Sequence, residues 1–315
     1  MIVLTGFLGA GKTTLLKRFL ASPEGSGTAV VINEFGAVGI DNQLVRGAAE
    51  ETALLGNGCL CCTTRSDLQI ALRRLFTERE RGEVPHFRQV VIETSGLADP
   101  GPLLATFATD RALGGEFSVE VVVALADAVT GPATLEWSAE ARKQIILADR
   151  LVVTKADLAE PDAVARLEKQ LAALNPRADI ATAVEGILDP RHLVEPPAVP
   201  AGAARRGFVA EAEHSDGIAS FVLAEQAPMS WALFTQAMET LMALRGPDLL
   251  RVKGLLNVAG CRGPVVVQFV QHLAHPPVEL AAWPDGERTS RVVFIARNIH
   301  EAAVRNLFGA LRALA

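Results

Sequence analysis

Four cysteines in 315 residues are too few for a disulfide scaffold, and three of them fall within four positions, at Cys59, Cys61 and Cys62. A bridge between such close neighbours would be strained, so a secreted framework held by disulfides is excluded. Positive charge is not in excess either. The 30 Lys and Arg are outnumbered by 36 Asp and Glu, which leaves no basic field for nucleic acid, and none is expected as a partner. No apolar run reaches the length of a membrane span, so no membrane association is expected. The apolar start leads into a glycine loop rather than a signal peptide. Free thiols without a leader give a cytoplasmic expectation. Internal repeats and low-complexity tracts are absent as well. What remains is an ordinary composition, half of it apolar, in a chain long enough for one large domain and one smaller one.

The apolar run Ile2-Val3-Leu4 opens onto Gly6-Phe7-Leu8-Gly9-Ala10-Gly11-Lys12-Thr13-Thr14. Every position of G-x-x-x-x-G-K-[ST] is filled, the loop whose backbone wraps a phosphate. Glycines at 6, 9 and 11 free the chain to turn successive N–H groups inward on an anion. The expected contacts are Gly9, Ala10, Gly11, Lys12, Thr13 and Thr14. Lys12 sets a cation on the outer phosphates, and the Thr13 hydroxyl ligates the Mg²⁺ that bridges them. Residues 14–20 read as a helix whose positive N-terminus faces the phosphates. A ligand-free glycine turn is the plain alternative, and the agreement of motif, strand and helix argues against it. The pattern predicts a nucleoside triphosphate ligand.

Short apolar runs at 29–32, 90–92, 119–125 and 151–153 read as strands covered on both faces. Between them, 66–81, 138–148 and 162–174 read as helices. Such alternation predicts an α/β fold, a parallel sheet flanked by helices, with its site at the carboxyl ends of the strands. Residues 1–194 are expected to form this domain. The segment 195–207 holds three prolines and no period, and reads as a linker. Residues 208–315 then form a second domain. Its strands are expected at 218–223, 249–258, 265–272 and 291–295, its helices at 230–244 and 300–314. The order β-α-β-β-β-α points to a small α+β sheet near the split β-α-β type.

The strand at 90–92 delivers Glu93, followed by Thr94-Ser95-Gly96-Leu97-Ala98-Asp99-Pro100. Beside an intact phosphate loop, a carboxylate at a buried strand end is placed to hold Mg²⁺. Gly96 suits a segment that moves near a γ-phosphate. Alone, Glu93 would read as a strand end in water. The strand at 151–153 delivers Thr154-Lys155-Ala156-Asp157, close to the N-K-x-D with which guanine-binding enzymes read their base. Asp157 would accept from the ring N–H and the exocyclic amine, and the Lys155 stem would lie over the ring. Thr154 stands where Asn is commoner. The stretch favours GTP over ATP. After the second strand, Glu34 and Asp41 are candidates to hold a metal or orient the attacking water, and a solvated acidic loop fits them equally well. Lys12, Glu34, Asp41 and Glu93 are thus the catalytic candidates.

Cys59, Cys61 and Cys62 follow Gly56-Asn57-Gly58 in a loop. Three thiolates can capture one soft or borderline cation, Zn²⁺ being the commonest. A fourth ligand must come from Glu34, a histidine or water, and an incomplete shell suits an ion that leaves again. A redox pair or buried small residues are the alternatives, but core cysteines seldom cluster in a polar, glycine-flanked loop. His214, His272, His275 and His300 read as structural residues, a second metal site being the alternative.

Together, G-F-L-G-A-G-K-T-T at 6–14, N-E-F-G at 33–36, G-I-D at 39–41, G-C-L-C-C at 58–62, E-T-S-G-L-A-D-P at 93–100 and T-K-A-D at 154–157 closely resemble the CobW-type GTPases. These are relatives of the urease and hydrogenase nickel-insertion GTPases. Ser230-Trp231 and residues 250–254 look like that family's C-terminal domain. The resemblance implies a weak GTPase, cycling between GTP and GDP, that delivers a metal to a client metalloprotein. That metal is generally Zn²⁺, with Co²⁺ involved in some branches. By position, the resemblance makes Cys59, Cys61 and Cys62 the zinc ligands, Lys12 and Thr13 phosphate and Mg²⁺ ligands, Glu93 the strand-end metal carboxylate and Asp157 the guanine reader. Two departures bear on it. Thr154 for Asn touches nucleotide selectivity, and the missing histidine-rich loop touches metal storage and identity. Three other readings stay open: a metal buffer with unhydrolysed nucleotide, an accessory GTPase of cobalamin biosynthesis, and a small-molecule kinase.

Overall fold

The computed structural model describes residues 1–33, 65–109, 117, 119–176, 178–195, 212–213, 218–270, 273–274, 276–283 and 286–314. The chain divides into two compact units, Met1–Ala198 and Val199–Ala315. Apart from Glu195, the expected linker lies outside the described residues.

In the first unit six strands are β1 (Ile2–Gly6), β2 (Thr28–Asn33), β3 (Gln89–Thr94), β4 (Val121–Asp127), β5 (Arg150–Thr154) and β6 (Asp179–Ala183). They lie in the order β2-β3-β1-β4-β5-β6, and every pair is parallel. The helices are α1 (Lys12–Leu20), α2 (Arg65–Glu80), α3 (Pro100–Thr109), α4 (Gly131–Trp137), α5 (Ala139–Leu147), α6 (Pro161–Leu174) and α7 (Arg191–Val194). β1, β4 and β5 are buried along their whole length, as the unbroken Val/Ile/Leu runs require of strands covered on both faces. Side chains alternate across a strand, so Ile2 and Leu4 share one face. They join Leu15, Leu16, Phe19 and Leu20 of α1 in one core cluster. Each of those four helical side chains stabilises the fold by about 1.5–3 kcal/mol on full burial, and this fixes α1 behind the loop it follows.

Sequence and structure part in places. β4 runs to Asp127, two residues past its expected end, because Ala126 and Asp127 continue the buried ladder with β5. α3 and α4 carry prolines in their first turns and no clear apolar stripe, which hid them. β6 is a partly exposed edge strand without an apolar run.

The second unit holds β7 (Ala212–Glu213), β8 (Ile218–Glu225), α8 (Trp231–Arg245), β9 (Leu249–Leu256), β10 (Val265–Val270), β11 (Leu273–Ala274), β12 (Val278–Glu279), β13 (Ser290–Arg297) and α9 (Glu301–Leu314). Its sheet order is β11-β10-β9-β13-β8-β7, with β12 beside β10, and all pairs are antiparallel. β8 and β9 both run against β13, which lies between them. They therefore run the same way and are joined through α8, the expected split β-α-β. Phe221 and Phe294 stack at 5.2 Å, and Phe234 of α8 lies 6.1 Å from Phe269 and 6.2 Å from Phe308 of α9. The strand expected to run to 258 stops at Leu256, and Val258 bridges Met229 instead. The one expected to run to 272 is described as far as Val270, and residues 271 and 272 lie outside the described residues.

Candidate functional site

β1 ends on Gly6, whose φ of 142° and lack of side chain are both needed, since a Cβ there would lie 2.7 Å from the Leu125 carbonyl oxygen. Gly9 and Gly11 follow at φ of 74° and 87°. The loop closes with the Ala10 N–H on the Phe7 carbonyl at 3.1 Å and enters α1 with the Leu15 N–H on Gly11 at 2.9 Å. No acidic residue occupies the first turn of α1, which leaves its positive end open to an anion. Lys12 Nζ donates to the carbonyls of Gly6 at 2.9 Å and Phe7 at 3.2 Å. These are weaker partners for an ammonium than phosphate oxygens would be.

Across the sheet, β3 delivers the buried Glu93, and Thr13 Oγ1 donates to its Oε1 at 2.7 Å. The next pair of residues is linked as well, Thr94 Oγ1 donating to Thr5 Oγ1 at 2.9 Å. So Lys12, Thr13 and Glu93, predicted from motifs 80 residues apart, meet at one strand-end junction.

At the other end of the edge, β5 delivers Thr154, and its hydroxyl donates 2.8 Å to the Ala10 carbonyl of the glycine loop. The departure from Asn is thereby explained in part: the short hydroxyl braces the loop from beneath. Lys155 takes a left-handed φ of 56°, a costly position for a residue with a side chain. Its Nζ donates to Asp127 Oδ2 at 2.6 Å. Asp127 Oδ1 accepts from the N–H groups of Val129 at 2.7 Å and Thr130 at 3.2 Å. Burial alone would raise the Asp127 pKa, but the Lys155 ammonium and those two N–H groups outweigh it and hold the carboxyl below the usual aspartate range. Asp157 is exposed on a short 3₁₀ turn, Ala156–Leu158. Beyond β6, a turn bridged between Val184 and Ile187 brings Gly186 against Thr14.

Asp127 and the 184–187 turn are the parts that motif reading missed. Asp127 has the same signal as Glu93, a carboxylate closing an apolar strand. Glu34, Asp41, Cys59, Cys61 and Cys62 lie outside the described residues. Among the described residues no cluster of His, Cys, Asp and Glu could hold a metal ion. No described helix is long and apolar enough to cross a membrane.

Residues 1–182 match the family model described as CobW/HypB/UreG, nucleotide-binding domain. The chain belongs to the CobW/HypB/UreG family. Residues 218–312 also match the cobalamin synthesis protein CobW C-terminal domain. The zinc chaperone YjiA of Escherichia coli is 34% identical, with 98% of each chain covered. The zinc chaperone CobW of Pseudomonas aeruginosa is 30% identical over 96% of this chain and 89% of that one. The crystal structure of Zn(II)-bound YjiA GTPase from E. coli superimposes with a TM-score of 0.71 at 32% identity, covering 99% of this chain and 98% of that one. The CobW-type frame is thus shared along nearly the whole chain.

Proposed function

We propose that this CobW-type chain is a metal-regulated GTP hydrolase that serves as a zinc metallochaperone, passing Zn²⁺ from Cys59, Cys61 and Cys62 to a client metalloprotein. The observation that carries the reading is the 2.7 Å contact between Thr13 Oγ1 and Glu93 Oε1 at the foot of the glycine loop. Two hard oxygen donors from separate motifs converge there, a set that suits Mg²⁺. Similarity to proteins named zinc chaperones along almost the full length supports zinc as the cargo.

When bound, Mg²⁺ supplies neutralisation of the negative charge spread over the outer phosphates. The chain's own residues do the rest. Lys12 exchanges two carbonyls for phosphate oxygens, and the inward N–H groups of 9–14 hold the phosphates in place. Asp157 accepts from the guanine edge, while Asp127 fixes the Lys155 ammonium so that its stem can lie over the base. Glu34 and Asp41 are the carboxylates proposed to orient the attacking water. Residues 195–207 are proposed as the link between a GTPase domain and the CobW C-terminal domain.

Phosphate release from GTP and zinc titration test this directly. Lys12→Ala is expected to slow release by about 10²–10³-fold, the scale for removing one preorganised electrostatic group. Cys61→Ser is expected to weaken zinc binding by about tenfold or more. A wild-type chain that turns over no GTP with Mg²⁺ and Zn²⁺ present would be a buffer and not a hydrolase. Unchanged zinc affinity in Cys61→Ser would remove the thiolates from the site.

A further inference from the structure

Two consecutive side chains of α5 hold the segment that follows β3. Gln144 Nε2 donates to the carbonyls of Gly96 at 3.1 Å and Ala98 at 3.0 Å. Lys143 Nζ reaches Asp99 Oδ2 at 3.0 Å, and Asp99 Oδ1 accepts from the Gly101 N–H at 2.8 Å in the first turn of α3. The helix that carries these residues is itself pinned at both ends. Ser138 Oγ accepts from the Ala141 N–H at 3.1 Å, and Asn175 Nδ2 donates to the Ile145 and Ala148 carbonyls at 2.8 and 2.9 Å.

The held segment presses on the phosphate loop. A Cβ at Gly96 would lie 2.6 Å from the Leu8 backbone nitrogen, so the approach leaves no room for a side chain. Gln144 is 1% exposed, and its Oε1 has no hydrogen-bond partner among the described residues. It lines the cleft beside the loop together with Phe7, Leu8 and Ala10. A buried acceptor left open is uncommon and needs a reason.

We propose that Gln144 is a positioning residue that makes the site sense a γ-phosphate, by tying residues 96–98 against the phosphate loop before nucleotide arrives. The inference rests on the GTPase reading above. A triphosphate then meets a segment already ordered, whereas a diphosphate makes no demand on it. Without the tie, the segment must be ordered at the expense of binding free energy. The Lys143–Asp99 pair is too exposed to do this alone. Two hydrogen bonds from a buried amide are the stronger restraint.

The test measures affinities for GDP and for a non-hydrolysable GTP analogue with Mg²⁺, together with steady-state phosphate release, in wild type, Gln144→Leu and Gln144→Asn. Gln144→Leu is expected to lose about tenfold in analogue affinity and in kcat. GDP affinity should stay within about twofold, because the tie acts only through the γ-phosphate. Gln144→Asn, too short to reach both carbonyls, should shift the analogue-to-GDP ratio in the same direction by less. It decides the matter if Gln144→Leu does not fold. Equal losses for both nucleotides, or no loss for either, would overturn the proposal. Failure of the wild type to bind either nucleotide would overturn the GTPase reading instead.

Discussion

The two sheets hide their polar side chains in different places. In the first unit, buried Lys12, Glu93, Thr94, Asp127, Gln144 and Thr154 gather at or beside the carboxyl ends of the strands, while buried Thr28 and Arg150 stand at the amino ends of β2 and β5. In the second, buried Arg251, Ser290 and Arg291 sit within antiparallel strands, and Ser290 serves the backbone, its Oγ accepting from the Asn257 N–H at 2.8 Å. Strand direction explains the contrast. Parallel strands all finish at one edge, so residues far apart in sequence converge there. Antiparallel strands finish alternately at opposite edges and disperse such residues. The first unit is shaped by chemistry at one edge, the second by packing across one face.

If that contrast is right, core damage in the second unit should cost stability and leave turnover alone. Phe234 is fully buried among Phe269, Phe308 and Trp231. Phe234→Ala is expected to destabilise by about 3–5 kcal/mol, read by denaturant unfolding, with phosphate release per folded molecule unchanged. A parallel fall in turnover would break the division of labour.

A smaller change sharpens it from the other side. Asp127→Asn removes the carboxylate that holds Lys155, and GTP affinity is expected to fall about tenfold, or about 1.4 kcal/mol. Because the folded Asp127 pKa is lowered, the pair contributes fully above the ordinary aspartate value and is lost as pH falls below it. The stability gap between wild type and Asp127→Asn should therefore hold from about pH 8 to about pH 5 and close below about pH 4. A gap that widened in acid would mean that the carboxylate is not what holds Lys155.

The same contrast governs what could be read from the sequence. The phosphate loop was legible because its glycines and Lys12-Thr13 have one chemical use. The split β-α-β order was legible because β8, β9, β10 and β13 each carry an apolar run, whereas the two-residue strands β7, β11 and β12 are too short to leave a pattern. Asp127 lies beyond the apolar run that reads as ending at Leu125, and only the pairing with β5 shows that two more residues belong to the strand. Gln144 looks like any polar position on a helix until the fold brings Gly96 and Ala98 to it, 48 and 46 residues away. Thr154 read as a weakened base contact, and three-dimensional contact makes it a brace for the loop. Contacts of that kind depend on the crossing of strands, which local pattern does not encode.

Zinc titration with and without a non-hydrolysable GTP analogue, paired with analogue titration with and without zinc, bears most directly on a nucleotide-governed metal site. Linkage requires the two shifts to be the same factor, and a factor of about five or more, equal in both directions, is the expected result. Zinc and nucleotide affinities that ignore one another would contradict it.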